Sequence, residues 1–153
     1  MKPSNPVTVG DLEPRDVAIL QTMLAAAELP PAALDHPGAR YIKLCDPDGE
    51  PIGFAGLEVS GRDALLRSVV VQEEQRGRGI GGLVVRHALA CAEGLYAESV
   101  YLLTMTATDF FARLGFRACS RDQVPAAIRQ TTEFTSLCPA SAVCMCRDIR
   151  SHA

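Results

Sequence analysis

The stretch Val69-Val70-Val71-Gln72-Glu73-Glu74-Gln75-Arg76-Gly77-Arg78-Gly79-Ile80-Gly81-Gly82-Leu83-Val84 decides how this chain folds. Three successive valines read as the end of a strand. Gly77, Gly79, Gly81 and Gly82 cluster directly behind it. From there Ile80, Leu83, Val84, His87, Ala88 and Cys91 recur at helical spacing, which predicts a helix from about Gly79 to Glu93 with those residues on its buried face. So many glycines are costly in chain entropy, and close approach of a ligand to the backbone is the physical reason to keep them. N–H groups at a helix N-terminus, with the helix dipole behind them, attract an anion. Arg76 and Arg78 add positive charge and several donors. The natural ligand of such a loop is a pyrophosphate. A plain glycine turn would have no use for the interleaved arginines.

Two nucleotide motifs are weaker readings of the same stretch. A P-loop needs Gly-Lys-Ser/Thr at its end, which is absent. The dinucleotide fingerprint is met literally by Gly77-x-Gly79-x-x-Gly82, but it also wants an acid at the end of the next strand. That strand, Ser99 to Leu103, ends at Leu103-Thr104.

Upstream, Val7 to Val9 reads as a first strand. Asp11 is predicted to cap a helix that has Pro14 near its first turn. Ile19, Leu20, Met23 and Leu24 repeat at helical spacing, and Pro30-Pro31 stops the run. Tyr41 to Cys45, Pro51 to Val59 and Ala64 to Val71 read as strands. The turns Asp46-Pro47-Asp48-Gly49 and Ser60-Gly61 between them predict antiparallel hairpins. Downstream, Ser99 to Leu103 is expected to run parallel to the strand before the loop. A helix over Thr108 to Leu114 is capped by Gly115. A strand from Phe116 to Cys119, a short helix over Pro125 to Gln130 and a last strand from Val143 to Ile149 complete the chain. The order implies an α/β (α+β) fold, a sheet with helices on both faces, in a single domain over residues 1–153.

Bulk properties narrow the function classes. The 153 residues are 48% hydrophobic and 22% charged, as in an ordinary globular domain. The net charge of −3 offers no overall basic field for nucleic acid or an anionic membrane. No apolar run approaches the roughly 20 residues of a membrane span, and the N-terminus has no signal-peptide core. A cytoplasmic enzyme is the expectation. The six cysteines are irregularly spaced without a Cys-x-x-Cys pair, so reduced thiols and no metal site are expected. Cys144 and Cys146, two apart, share one strand face. They are read chiefly as buried apolar side chains, with a thiophilic metalloid as the alternative ligand.

The loop and its flanks resemble the acetyl-CoA motif of the GNAT superfamily of N-acetyltransferases, Gln/Arg-x-x-Gly-x-Gly/Ala, as Arg76-x-x-Gly79-x-Gly81. Phe110-Phe111-Ala112-Arg113-Leu114-Gly115-Phe116 resembles a second segment of that family. The resemblance implies a mixed, mostly antiparallel sheet with a splayed parallel strand pair and a bulge in the strand before the loop. It implies acetyl-CoA as co-substrate, held by Val69, Val70, Val71, Arg76, Gly77, Arg78, Gly79, Ile80, Gly81 and Phe111. By the same resemblance the thioester lies near Ser68, Val69 and Thr104. The backbone N–H of Val69 or Val70 would be the oxyanion donor.

Acetyl transfer needs a neutral amine, oxyanion donors and a proton for the leaving thiolate. Many relatives use a tyrosine in the second segment as the acid, and that position is Phe111 here. Thr104, Thr106 or water would have to serve instead. Glu58, on a strand, is the candidate base; a solvated strand-end carboxylate is the alternative. Glu73 and Glu74 are expected on the solvent side of the loop. Arg67 interrupts an apolar strand and must find a partner. Its fork suits a substrate carboxylate, and Arg67 with Ser68 is read as acceptor-binding; a buried ion pair is the alternative. Leu66 to Val71, Phe110 to Arg113 and the tail Phe134 to Ala142 resemble the amino-acid (N-acetylglutamate synthase-like) branch. The whole chain resembles its arsenic-resistance-associated subgroup. The expected reaction is acetylation of a small, glutamate-like amino acid or an organoarsenical or phosphinic mimic. An acyl-CoA or metalloid-binding module without turnover, and a protein or peptide acetyltransferase, are the other functions the sequence admits. The partner is a small-molecule amine, not nucleic acid or membrane, and a homodimer through the C-terminal strands is compatible with the sequence.

Overall fold

The computed structural model describes residues 8–149 apart from 33, 36 and 138–140. The proposed strand residue Val7, and Cys138 and Pro139 in the tail, lie outside the described residues. Among the described residues seven strands form one sheet: β1 (Thr8–Asp11), β2 (Ala39–Cys45), β3 (Pro51–Ser60), β4 (Asp63–Val71), β5 (Ser99–Thr104), β6 (Arg117–Ala118) and β7 (Val143–Asp148). Their order is β1-β2-β3-β4-β5-β7-β6. The sheet is mostly antiparallel with one parallel pair, as expected. That pair is β4 and β5, in register from Asp63↔Ser99 to Leu65↔Tyr101. The helices are α1 (Pro14–Ala26), α2 (Ile80–Gly94), α3 (Thr108–Arg113) and α4 (Ala126–Arg129), with a π-helical turn at Glu133–Leu137. No described helix is long and apolar enough to cross a membrane.

The chain divides into two compact units. The first comprises Met1–Gly56 and Ser68–Ala88, the second Leu57–Arg67 and Leu89–Ala153. In the first, Leu20 and Leu24 of α1 pack with Tyr41, Phe54 and Val70, and Ile19 and Met23 flank them. The helical repeat read from these four residues therefore marks the packed face. Its cap differs from the expectation. Asp11 ends β1, and the N-cap is Glu13, which forms a capping box with Asp16. The Asp16 carboxylate reaches back to accept from the Glu13 N–H at 2.7 Å, while the Glu13 side chain accepts from the Asp16 N–H, so the two residues satisfy orphan donors of the helix start reciprocally. The turn after β2 closes as read, with the Gly49 N–H donating to the Asp46 carbonyl at 2.9 Å and φ of 86° at Gly49.

Asp16 also carries a buried ion pair. Its side chain is fully buried and accepts a 2.6 Å hydrogen bond from Lys43 Nζ on β2. Burial pushes the Asp16 carboxyl up. The Lys43 hydrogen bond, the Glu13 N–H and the Lys43 charge together outweigh burial and leave it below its usual value of 3.8. The hydrogen bond to Asp16 holds the Lys43 ammonium above its ordinary value. Lys43→Met is expected to cost about 3–5 kcal/mol at neutral pH by stranding a buried carboxylate. A carboxyl held low in the fold stabilises it fully above its unfolded value and loses that contribution as pH falls through the folded one. The stranded carboxylate of the variant protonates more readily. The gap between wild type and Lys43→Met in urea denaturation should therefore narrow as pH is lowered below about 4.

The core of the second unit brings Leu65 of β4 together with Val124, Ile128 and Cys144, flanked by Tyr101, Leu103, Cys119 and Phe134. Helix α2 belongs to the first unit up to Ala88 and to the second from Leu89, and its buried stripe is Val84, Val85, Ala88, Leu89 and Ala92. Ile80, Leu83, His87 and Cys91, expected on that face, are only half-buried. The face is turned by roughly one residue, about 100° of helix, relative to the sequence reading. Val85, Leu89 and Ala92 form an equally apolar line, so periodicity alone does not separate the two.

Candidate active site

The glycine loop lies wholly in the first unit. Strand β4 ends at Val71, where the next residue is fixed by a 2.8 Å hydrogen bond from the Gln72 N–H to the Ile52 carbonyl. A 3-10 turn over Glu73–Gln75 follows, with both glutamates exposed. Gly77 and Gly79 then take φ of 81° and 80°. A side chain with a Cβ is strained there, which accounts for glycine at both positions. A Cβ built on either meets nothing within 4 Å, so the loop borders open space. The first α-helical bond of α2 runs from the Leu83 N–H to the Gly79 carbonyl at 3.1 Å. The N–H groups of Ile80, Gly81 and Gly82 precede it and have no partner within the helix. Arg76 and Arg78 are exposed, and Arg76 Nε donates to the Val71 carbonyl at 3.3 Å. Positive-φ glycines, a helix N-terminus and two arginines around open space are the groups a pyrophosphate requires.

The strand feeding this loop is interrupted at Ser68, a non-glycine residue with φ of 59°. The burial pattern changes there: Ala64 to Ser68 are buried without a break, after which Val69 is half-buried, Val70 buried and Val71 half-buried. Tyr41 supports the break, its hydroxyl 3.4 Å from Ser68 Oγ. The Tyr41 ring fills the place that a Cβ on Gly56 would take. Neither Tyr41 nor Gly56 stood out in the sequence, where a strand tyrosine and a strand glycine look ordinary.

In the second unit the polar centre is Arg67. Its guanidinium is fully buried, with Nη1 at 2.8 Å from Glu58 Oε2 and Nη2 at 3.4 Å from Glu133 Oε1. Both carboxylates are buried as well. The charge at position 67 thus has Glu58 and Glu133 among its protein partners, as the ion-pair alternative required. Glu133 was missed by sequence reasoning. It sits in the π-helical turn, within a segment that has no periodicity to flag an inward face. Thr104 is buried at the end of β5, and its Oγ1 accepts from the Ala107 N–H at 3.0 Å, shaping the turn into α3. Thr106 is exposed. Phe111 is buried on α3 in edge-to-face contact with Phe110 and Phe116, at centroid distances of 4.9 and 5.7 Å. Cys144 and Cys146 are buried on β7, and among the described residues no group of three ligating side chains is arranged to hold a metal ion.

Comparison with known proteins bears on this geometry. The model of the acetyltransferase (GNAT) domain matches residues 38–118, which include β2 to β6, the glycine loop and α2. A peptidyl-lysine N-acetyltransferase, YjaB, of Salmonella typhimurium is 34% identical over 84 residues, 55% of this chain and 54% of that protein. An amino-acid acetyltransferase of Mycobacterium tuberculosis is 38% identical over 69 residues, 44% of this chain and 39% of that one. The chain spans about half the length of these relatives. Among solved structures, N-acetylglutamate synthase from Neisseria gonorrhoeae, complexed with coenzyme A and N-acetyl-glutamate, superposes with a TM-score of 0.82 at 17% identity. That match covers 97% of this chain and 36% of the synthase chain, and is a likeness of fold. The loop geometry and the match across more than half the residues lead to one conclusion: this chain belongs to the GNAT acetyltransferase family, whose co-substrate is acetyl-CoA.

Proposed function

We propose that this protein transfers an acetyl group from acetyl-CoA to the amine of a small amino acid or amino-acid analogue. The observation that carries the reading is the pair of positive-φ glycines, Gly77 and Gly79, opening α2 directly behind β4, with Arg76 and Arg78 beside them. In this reading the N–H groups of the first turn of α2 and the two arginines hold the pyrophosphate. The backbone of Val69 to Val71 orients the pantetheine arm. When bound, the co-substrate supplies an activated acetyl thioester. The chain's own contribution is to hold the acceptor, accept the ammonium proton and offer a backbone N–H to developing negative charge. Glu58 is the carboxylate assigned to the proton, directly or through water, with its rotamer fixed by Arg67. Thr104 is the hydroxyl assigned to the leaving thiolate. Phe111 has no proton to give and serves by shape.

An amino-acid acceptor is supported by the M. tuberculosis relative, an amino-acid acetyltransferase, and a glutamate-like one by the resemblance of Leu66 to Val71 and Phe110 to Arg113 to the N-acetylglutamate synthase-like branch. Phosphinic and arsinic mimics of glutamate belong to the same acceptor class, since they present the same ammonium and carboxylate. Acetylating that ammonium would remove its charge and its fit to enzymes that recognise free amino acids. A substrate carboxylate meeting Arg67 would replace Glu133, the longer of its two ion-pair contacts. The second reading, acetylation of lysine in peptides, is favoured by the match to YjaB. The test is thiol release from acetyl-CoA with a panel of glutamate, its phosphinic and arsinic analogues, other amino acids, polyamines and lysine peptides. The expected result is turnover of a glutamate-like amino acid at least tenfold above the peptides, a difference of about 1.4 kcal/mol in the barrier. Turnover of peptides or polyamines with none of any free amino acid would overturn the acceptor assignment.

A further inference from the structure

The proposed chemistry uses none of the cysteines, yet three of them meet in the second unit. Strands β6 and β7 pair antiparallel with Arg117 opposite Cys146 and Ala118 opposite Met145. Continuing that register places Cys119 opposite Cys144, and the Cys119 N–H donates to the Cys144 carbonyl at 2.9 Å. Their sulfurs are 3.3 Å apart. The Cys146 thiol also reaches the Cys119 thiol, from the diagonal position. Directly opposed residues of an antiparallel pair have Cα atoms roughly 4.5–5.5 Å apart, inside the range that a disulfide bridges. With a bond length of about 2.0 Å, the two sulfurs need to close by little more than an ångström.

We propose that Cys119 and Cys144 are a thiol modification site, closed to a cross-strand disulfide by exchange with a small-molecule disulfide such as oxidised glutathione. Attack enters at Cys119, which is half-buried, whereas Cys144 is 4% exposed. The Cys119 sulfur bonds to one sulfur of the small disulfide, whose S–S bond breaks; the thiolate released takes up the Cys119 proton. The Cys144 sulfur then bonds to Cys119, the mixed disulfide breaks, and a second small thiol leaves with the Cys144 proton. Two protein thiols are oxidised, and one disulfide is reduced to two thiols. Burial pushes the Cys119 thiol up to about 11, so the exchange is slow at neutral pH. The bridge would tie together both ends of the segment that carries Glu133, 25 positions being spanned between the cysteines. That segment delivers one of the two carboxylates on Arg67. The disulfide would therefore restrict the part of the chain that completes the buried charge cluster.

The full chain, incubated with oxidised glutathione, alkylated and mapped by peptide mass, tests this. The expected product has lost the mass of two hydrogens, retains no glutathione and contains a peptide linking Cys119 to Cys144. Its Tm should rise by roughly 5–10 °C, as for a loop of this length closed in a chain of this size, and fall back on reduction. Cys144→Ser should instead trap glutathione on Cys119 without the Tm rise, and Cys146→Ser should close as the wild type does. Persistent glutathione on the wild-type chain, all thiols remaining alkylatable, or a bridge mapped to any other cysteine pair would each overturn the proposal. The wild-type map decides even if a serine variant fails to fold.

Discussion

Replacing Arg67 by methionine is expected to remove about 3–5 kcal/mol of stability, because it takes the guanidinium contact away from two buried carboxylates. Glu58 and Glu133 both contact the guanidinium, and all three side chains are almost wholly shielded from water. Losing the Arg67 charge leaves Glu58 and Glu133 to repel each other where solvent screens them little. A typical domain has only about 5–15 kcal/mol to lose, so the variant should unfold at a much lower urea concentration than the wild type. A compensated variant separates charge imbalance from lost packing. Arg67→Met combined with Glu58→Leu and Glu133→Leu should recover most of the loss, since apolar groups of similar volume often replace a buried ion cluster at little cost. If Arg67→Met alone is within about 0.5 kcal/mol of wild type, as for an ordinary surface change, the buried cluster is not what holds this region.

Gly79→Val is expected to abolish the rise in Tm that acetyl-CoA produces while leaving a folded protein. The position has φ of 80°, a conformation costing a β-branched residue about 1–3 kcal/mol. The strain can relax only by moving the backbone at the mouth of α2, where the proposed phosphate donors lie. Ligand at about 100 times its Kd stabilises the wild type by roughly 2.7 kcal/mol, several degrees in a chain of this size. The variant should show a lower starting Tm and no further change on adding acetyl-CoA. Since a Cβ here meets open space in the unliganded loop, Gly79→Ala is the milder form, with weakened rather than absent binding. A full acetyl-CoA response in folded Gly79→Val would move the phosphate site elsewhere.

The two outcomes reflect how differently local and long-range features are written in a sequence. The loop was legible because everything that makes it is contiguous: β-branched residues, glycines, arginines and a helical repeat within about four turns of chain. The turns at Gly49 and Gly61 were legible for the same reason, since both glycines adopt positive φ. That Arg67 needs a partner was also visible, because a charge inside an apolar strand must be compensated. Which partner it has was not. Glu58 is nine positions away across a hairpin, and Glu133 comes from a π-helical turn with no repeat of its own. The burial of α2 was missed by one residue because two apolar lines run side by side along it. The opposition of Cys119 to Cys144 depends on a register between β6 and β7, separated by a long connection that carries α4 and the π-helical turn. A two-residue strand such as β6 leaves almost no alternation from which to read that register.

The central claim, that the loop between β4 and α2 holds the pyrophosphate of acetyl-CoA for acetyl transfer, is tested most directly by comparing two acetyl donors. The measurement is kcat/KM for acetyl-CoA and for S-acetylpantetheine, which keeps the thioester and lacks the pyrophosphate and nucleotide, with the same amine acceptor. Two lost charge-assisted contacts at about 1.5–3 kcal/mol each predict that the truncated donor is worse by at least about a hundredfold. Equal kcat/KM for the two donors, or no acetyl transfer from acetyl-CoA to any amine by the folded chain, would contradict the account.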